Sequence, residues 1–107
     1  MAEEGTPVLD TLAEITAVSI ERCNLDPREM MLARIAALAA VDAPPASYLL
    51  NAGAASDLGV TLEDVQGILV AVAPIVGTPR VMAAAGNITR ALGFAIAVLE
   101  AELEAGG

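Results

Sequence analysis

Val65-Gln66-Gly67-Ile68-Leu69-Val70-Ala71-Val72-Ala73-Pro74-Ile75-Val76 is apolar on nearly every face of a helix, and no charged residue occurs between Asp64 and Arg80. A helix that is hydrophobic all round must be buried on all sides. A chain of 107 residues has too little volume to surround such a helix well. The stretch therefore predicts an all-α subunit whose remaining apolar surface is covered by other copies of the chain. The length allows one domain, spanning residues 1–107.

Composition excludes several function classes. The chain is 56% hydrophobic but only 2% aromatic, so its core must be built from Ala, Val, Leu and Ile. Such side chains fill space only where helices pack closely. The net charge is -9, with five Arg and neither Lys nor His. No basic patch is available to neutralise phosphates, which argues against nucleic acid and against an anionic membrane surface. The longest uncharged run, Val65 to Pro79, falls short of the ~20 residues that a spanning helix needs. The opening Met1-Ala2-Glu3-Glu4-Gly5 is acidic and unlike a signal peptide. The single cysteine, Cys23, excludes an intrachain disulfide. A cytoplasmic protein is the expectation.

Working outward from the apolar stretch, helix starts carry a common punctuation. Thr6-Pro7, Asp26-Pro27 and Thr78-Pro79 each place an oxygen-bearing N-cap before Pro at the first helical position. Asp26-Pro27-Arg28-Glu29 adds Glu at N3, as in a capping box. Thr61-Leu62-Glu63-Asp64 is a fourth start, with two carboxylates at the positive end of the dipole. Asn24, Asp42-Ala43-Pro44-Pro45, Gly59 and Gly77 supply the stops. These signals predict helices near 7–23, 27–41, 45–58, 62–76 and 79–104, with Pro74 able to end the fourth early and Gly93 able to bend the fifth. No window alternates with period two, so no strand is expected. In the first helix Val8, Leu12, Ile15, Ser19 and Cys23 share a stripe, which either packs on its own subunit or grips a neighbour. The fifth helix carries Gly86, Gly93 and Ala97 at heptad-like spacing, a strip where another backbone could approach closely. Its end, Glu100 to Glu104, puts acid at the negative pole of the dipole and predicts a frayed, solvated tail over 98–107.

The order of these pieces resembles the carboxymuconolactone decarboxylase family, which includes the alkylhydroperoxidase-D-like proteins. The residues that carry the likeness are Leu25-Asp26-Pro27-Arg28-Glu29 before an Ala/Leu-rich helix, and a helix ending Ala54-Ala55-Ser56-Asp57-Leu58-Gly59. Then come Val60-Thr61-Leu62-Glu63-Asp64-Val65, the apolar helix, and Gly77-Thr78-Pro79. The resemblance spans residues 25–97, with 1–24 as an N-terminal helix or arm. It implies a subunit of five to six helices assembled as a homotrimer or hexamer. Peroxidase members carry a Glu, a Cys-x-x-Cys about a dozen residues later, and a His four residues beyond the second Cys. One thiolate attacks the peroxide, the other resolves it, and His and Glu move the proton. Here the Glu matches Glu29. The Cys positions fall near Asp42 and Pro45, the His position near Leu49, and the decarboxylases' His position near Ala71. None of these four matches, so the resemblance implies a family member without thiol peroxidase chemistry. Cys23 lies upstream on the apolar stripe and reads as a buried structural thiol.

Few residues remain for chemistry. Glu29 could act as a general acid or base, or could simply close the capping box. Arg34 is the only charge between Met30 and Val41, and either pairs, snorkels or faces an anion. Arg80 sits in the first turn of a helix, where positive charge calls for compensation by a carboxylate or a ligand. Tyr48 and Asn51 lie one turn apart and can face one cleft; Asn87 is two turns beyond Arg80. The candidate site is therefore Glu29 as proton carrier, with Arg34, Tyr48, Asn51 and Arg80 binding a small anionic ligand near a subunit interface. It would serve a cofactor-free lyase or binder acting on a small organic acid. The alternative is a structural homo-oligomer without catalysis. With no His and scattered acids there is no metal constellation, and no phosphate loop or activated serine is present.

Overall fold

Turn and cap chemistry sets where each helix begins and ends. The computed structural model describes residues 5–106, with side-chain surroundings for all of them except 94, 95, 98 and 99. Among these residues there are five α-helices and no strand: α1 (Pro7–Arg22), α2 (Pro27–Ala40), α3 (Pro45–Asp57), α4 (Leu62–Val76) and α5 (Thr78–Gly106).

Two capping boxes open the central helices. The Glu29 amide donates to Asp26 Oδ1 at 2.9 Å, and the Asp26 amide donates back to Glu29 Oε1 at 3.4 Å. At α4 the Asp64 amide donates to Thr61 Oγ1 at 3.1 Å, and the Thr61 amide to Asp64 Oδ2 at 2.9 Å. Arg28 Nη2 also donates to Asp64 Oδ2 at 2.6 Å, tying the start of α2 to the start of α4. The Thr61 hydrogen bonds, with Arg28 adding to them, hold the Asp64 carboxyl below its ordinary value.

The stops of α2 and α3 are the same device. After α3, the Gly59 amide donates to Ser56 O at 3.0 Å and the Val60 amide to Ala55 O at 2.9 Å, with Gly59 at φ +80. After α2, the Asp42 amide donates to Ala39 O at 3.3 Å and the Ala43 amide to Leu38 O at 3.0 Å, with Asp42 at φ +58. Both are Schellman closures needing a left-handed residue. Asp42 is thus a turn residue, tolerated there because a short polar side chain suffers less than others. Asp42→Gly should relieve the Cβ strain and stabilise the chain by about 0.5–1 kcal/mol. A higher urea midpoint at unchanged slope would show it; a lower one would mean that the carboxylate makes an interaction worth more than the strain.

Two boundary expectations need correction. Thr78 is not an N-cap but the first residue of α5. Gly77 takes that place, because at φ +97 and ψ +151 one residue both closes α4 and opens α5. Its amide donates to Ala73 O at 3.0 Å, and its carbonyl accepts from the Val81 amide at 3.1 Å. Pro74 does not end α4 early: it sits exposed in the last turn, and the helix continues to Val76. At its other end α5 runs two residues past the expected 104, through the acidic stretch. The Ala, Leu and Glu of the last turns favour helix enough to carry α5 to Gly106.

α2 packs on α3, α4 and α5, and α5 also covers α3 and α4. One buried cluster joins Met31, Ile35, Ala55 and Ile68; a second joins Ala43, Tyr48, Ile88 and Ala91, with Val65 touching both. The most buried residues are alanines, Ala39 and Ala84 at 0% exposure, as a nearly non-aromatic composition requires. The apolar helix α4 buries only Ile68, leaving Val70 at 74% and Ile75 at 88% exposure. α1 buries no residue at all. Val8, Leu9, Leu12, Ile15, Val18 and Ile20 are all exposed, so α1 projects as an arm. The radius of gyration is 15.6 Å, against ~13 Å for a compact chain of about this length. Cys23, expected to be buried, is a half-buried free thiol, because α1 has no partner in the subunit. The small-residue strip meets no neighbouring backbone either. A Cβ on Gly93 would meet open space, and one on Gly86 only its own helix's Arg90.

A candidate ligand cavity

The closures after α2 and α3 fix how α3 lies across the bundle. They turn one face of α3, carrying Tyr48, Asn51, Ala52, Ala55 and Ser56, toward a cavity of about 180 Å3. Ile35 and Leu38 of α2, Val65 of α4, and Ile88 and Ala91 of α5 form its other walls. The lining is largely apolar, and among the described residues no charged one contributes to it.

Two of the expected site residues meet here. Tyr48 is only 7% exposed, and its hydroxyl is buried without a hydrogen-bond partner. Asn51, one turn on, donates from Nδ2 to Ser47 O at 2.9 Å, which leaves its side-chain carbonyl uncommitted by that bond. Burial pushes the Tyr48 phenol above its ordinary value of 10.0, and the negative charge of Asp42 pushes the same way. The group thus stays protonated at neutral pH. A folded-state value above the unfolded one gives stability that is complete below pH 10.0 and is lost as pH rises through the folded value.

The other three residues are not at the cavity. Glu29 is exposed and engaged in the capping box of α2. Arg34 is half-buried on α2 and does not line the cavity; its Nη2 donates to Ser19 Oγ at 3.2 Å, tethering α1. Arg80 reaches the end of α2, where Nη1 donates to Ala40 O at 2.6 Å. The compensation that Arg80 requires is therefore the negative pole of a neighbouring helix. Asn87 donates to Ala43 O at 3.1 Å and accepts from Arg90 Nη1 at 3.0 Å, a structural clasp between α5 and the α2–α3 turn. Reading by residue type missed Ser56, Thr61, Val65, Ile88 and Ala91. The spacing 48, 51, 52, 55 traces one helix face and was available as a signal. Which α5 residues stand opposite depends on the helix crossing and has no local signature.

No group of three or more metal-ligating side chains occurs among the described residues, and no helix of the described residues is long and apolar enough to cross a membrane. The sequence model of the carboxymuconolactone decarboxylase family matches residues 7–90. The chain belongs to that family. No curated protein and no solved structure matches significantly. The family match begins in α1, well before the Leu25 start of the resemblance, so the α1 segment falls within it. Near the positions to which the resemblance assigns the peroxidases' thiols and His, Asp42 holds the left-handed turn, Pro45 opens α3, and Leu49 packs on the Tyr48 cluster.

Proposed function

We propose that this chain is a non-redox member of the carboxymuconolactone decarboxylase family. It assembles with copies of itself, as a trimer or a multiple of one, and holds a small organic ligand in the cavity beside Tyr48. The observation that carries this reading is that Tyr48, whose hydroxyl is buried without a hydrogen-bond partner, lines an apolar cavity. A buried polar group without a partner costs stability, and such groups mark sites where something else completes the bond. Binding is favoured over acid–base catalysis, since Glu29 lies outside the cavity and the Tyr48 phenol holds its proton. An acid gripped by Arg34 or Arg80 at this cavity finds no support in the geometry, because neither side chain lines it; one donates to Ser19 Oγ and the other to Ala40 O. A cytoplasmic setting fits the lone cysteine.

A second reading, a structural assembly protein, is favoured by the unpacked α1 and by the exposed apolar face of α4. One experiment separates the two. The chain has one tyrosine and no tryptophan, so its intrinsic emission reports on Tyr48 alone. A panel of single-ring and short-chain compounds should include members that both raise the melting temperature and change that emission. If none does either, the structural reading replaces this one. Peroxide consumption coupled to a dithiol should be the same for wild type and Cys23→Ser, since Cys23 has no resolving partner in the chain. A large loss in the variant would show a reactive thiol.

A further inference from the structure

Resting on the cavity reading above, we infer that the ligand is uncharged, about the size of one ring, and joined to Tyr48 by a single hydrogen bond. Size comes first. The cavity measures about 180 Å3, and an engineered apolar cavity of ~150 Å3 in another protein accommodates benzene. A single ring with one substituent fits within it.

Charge comes second. Among the described residues no guanidinium borders the cavity: Arg34 and Arg80 are held at Ser19 and Ala40, Arg28 pairs with Asp64, and Arg90 donates to Asn87. A carboxylate placed between Ile35, Val65, Ile88 and Ala91 would lose its hydration and gain no counter-charge. Asp42 is close enough to bear on the Tyr48 phenol, and its sign opposes a second anion. The chain as a whole carries -9, so long-range steering disfavours anions as well.

Polarity comes third. Tyr48 lines the cavity with its hydroxyl almost without accessible surface, so a small turn of its ring is needed to present it. The hydroxyl can then donate or accept, and the Asn51 carbonyl offers one further acceptor on the same face of α3. An alcohol, phenol or ketone oxygen satisfies the hydroxyl, whereas a hydrocarbon leaves it unpaired. One net hydrogen bond corresponds to about a fivefold preference in Kd.

The test is calorimetric titration of the assembled protein at pH 7 with phenol, cyclohexanone, toluene and benzoate. Phenol and cyclohexanone should bind about fivefold more tightly than toluene, with benzoate weakest. Tyr48→Phe should remove the advantage of the two polar rings while leaving toluene binding unchanged. Ala52→Leu, which fills the cavity from α3, should abolish binding of every ring. Benzoate binding as tightly as phenol would overturn the neutral-ligand inference while sparing the cavity. An unchanged polar preference in a folded Tyr48→Phe protein would overturn the assigned hydrogen bond. If no ring binds the wild type and Ala52→Leu only raises its melting temperature, the cavity is a packing gap and both readings fail.

Discussion

In solution at micromolar concentration the chain should scatter light with a mass several times the 10.8 kDa of the subunit. Val70 and Ile75 of α4, Met82 of α5, and the α1 residues Val8, Leu9, Leu12 and Ile15 are all exposed. Apolar burial is worth ~25 cal/mol per Å2, so leaving these faces in water forgoes a large stabilisation, and monomeric proteins rarely present such extents of apolar surface. The groove between α4 and α5, walled by Leu62, Val65, Leu69 and Ile88, offers a further apolar face for a second copy. Leu12→Asp with Ile15→Asp should reduce the mass, and Val70→Asp with Ile75→Asp should do so independently. A monodisperse wild-type monomer at these concentrations would refute self-assembly.

Ile35→Ala should be the most destabilising single core truncation. Ile35 is buried, packs in the cluster with Met31, Ala55 and Ile68, and also walls the cavity. Neighbouring alanines cannot collapse into the space, so the penalty should lie at about 2–5 kcal/mol, lowering Tm by roughly 10 °C or more. Leu103→Ala on the exposed end of α5 serves as the comparison and should change stability by about 0.5 kcal/mol at most. Equal effects of the two substitutions would mean that the packing around Ile35 is not the centre of the fold.

The helices were legible because their ends are chemical signals. Asp26 with Glu29, and Thr61 with Asp64, satisfy their own amides within four residues, and Gly59 supplies the one backbone conformation that its closure demands. Asp42 was harder to read. Its sequence marks a turn, but its left-handed geometry depends on how α2 meets α3. The site was legible in part for the same reason. Tyr48 and Asn51 share a face by local spacing alone, and the structure places both at one cavity. Arg34 and Arg80 have long side chains, and what they reach is decided by distant elements: α1 in one case, the end of α2 in the other. No period or spacing in the chain encodes those meetings.

The arm formed by α1 has a thermodynamic consequence. Its 16 residues bury nothing in the subunit and are tethered through Ser19 to Arg34. In water a helix of that length is close to the ~12–15 residue threshold below which helices are marginal even in favourable sequences. An isolated subunit therefore gains little by keeping α1 helical. Under the proposed self-assembly, ordering of the arm and association form one equilibrium governed by mass action, so helix content and melting temperature should both rise with protein concentration. On that proposal the subunit is incomplete as a folding unit, and its stability is a property of the population of chains.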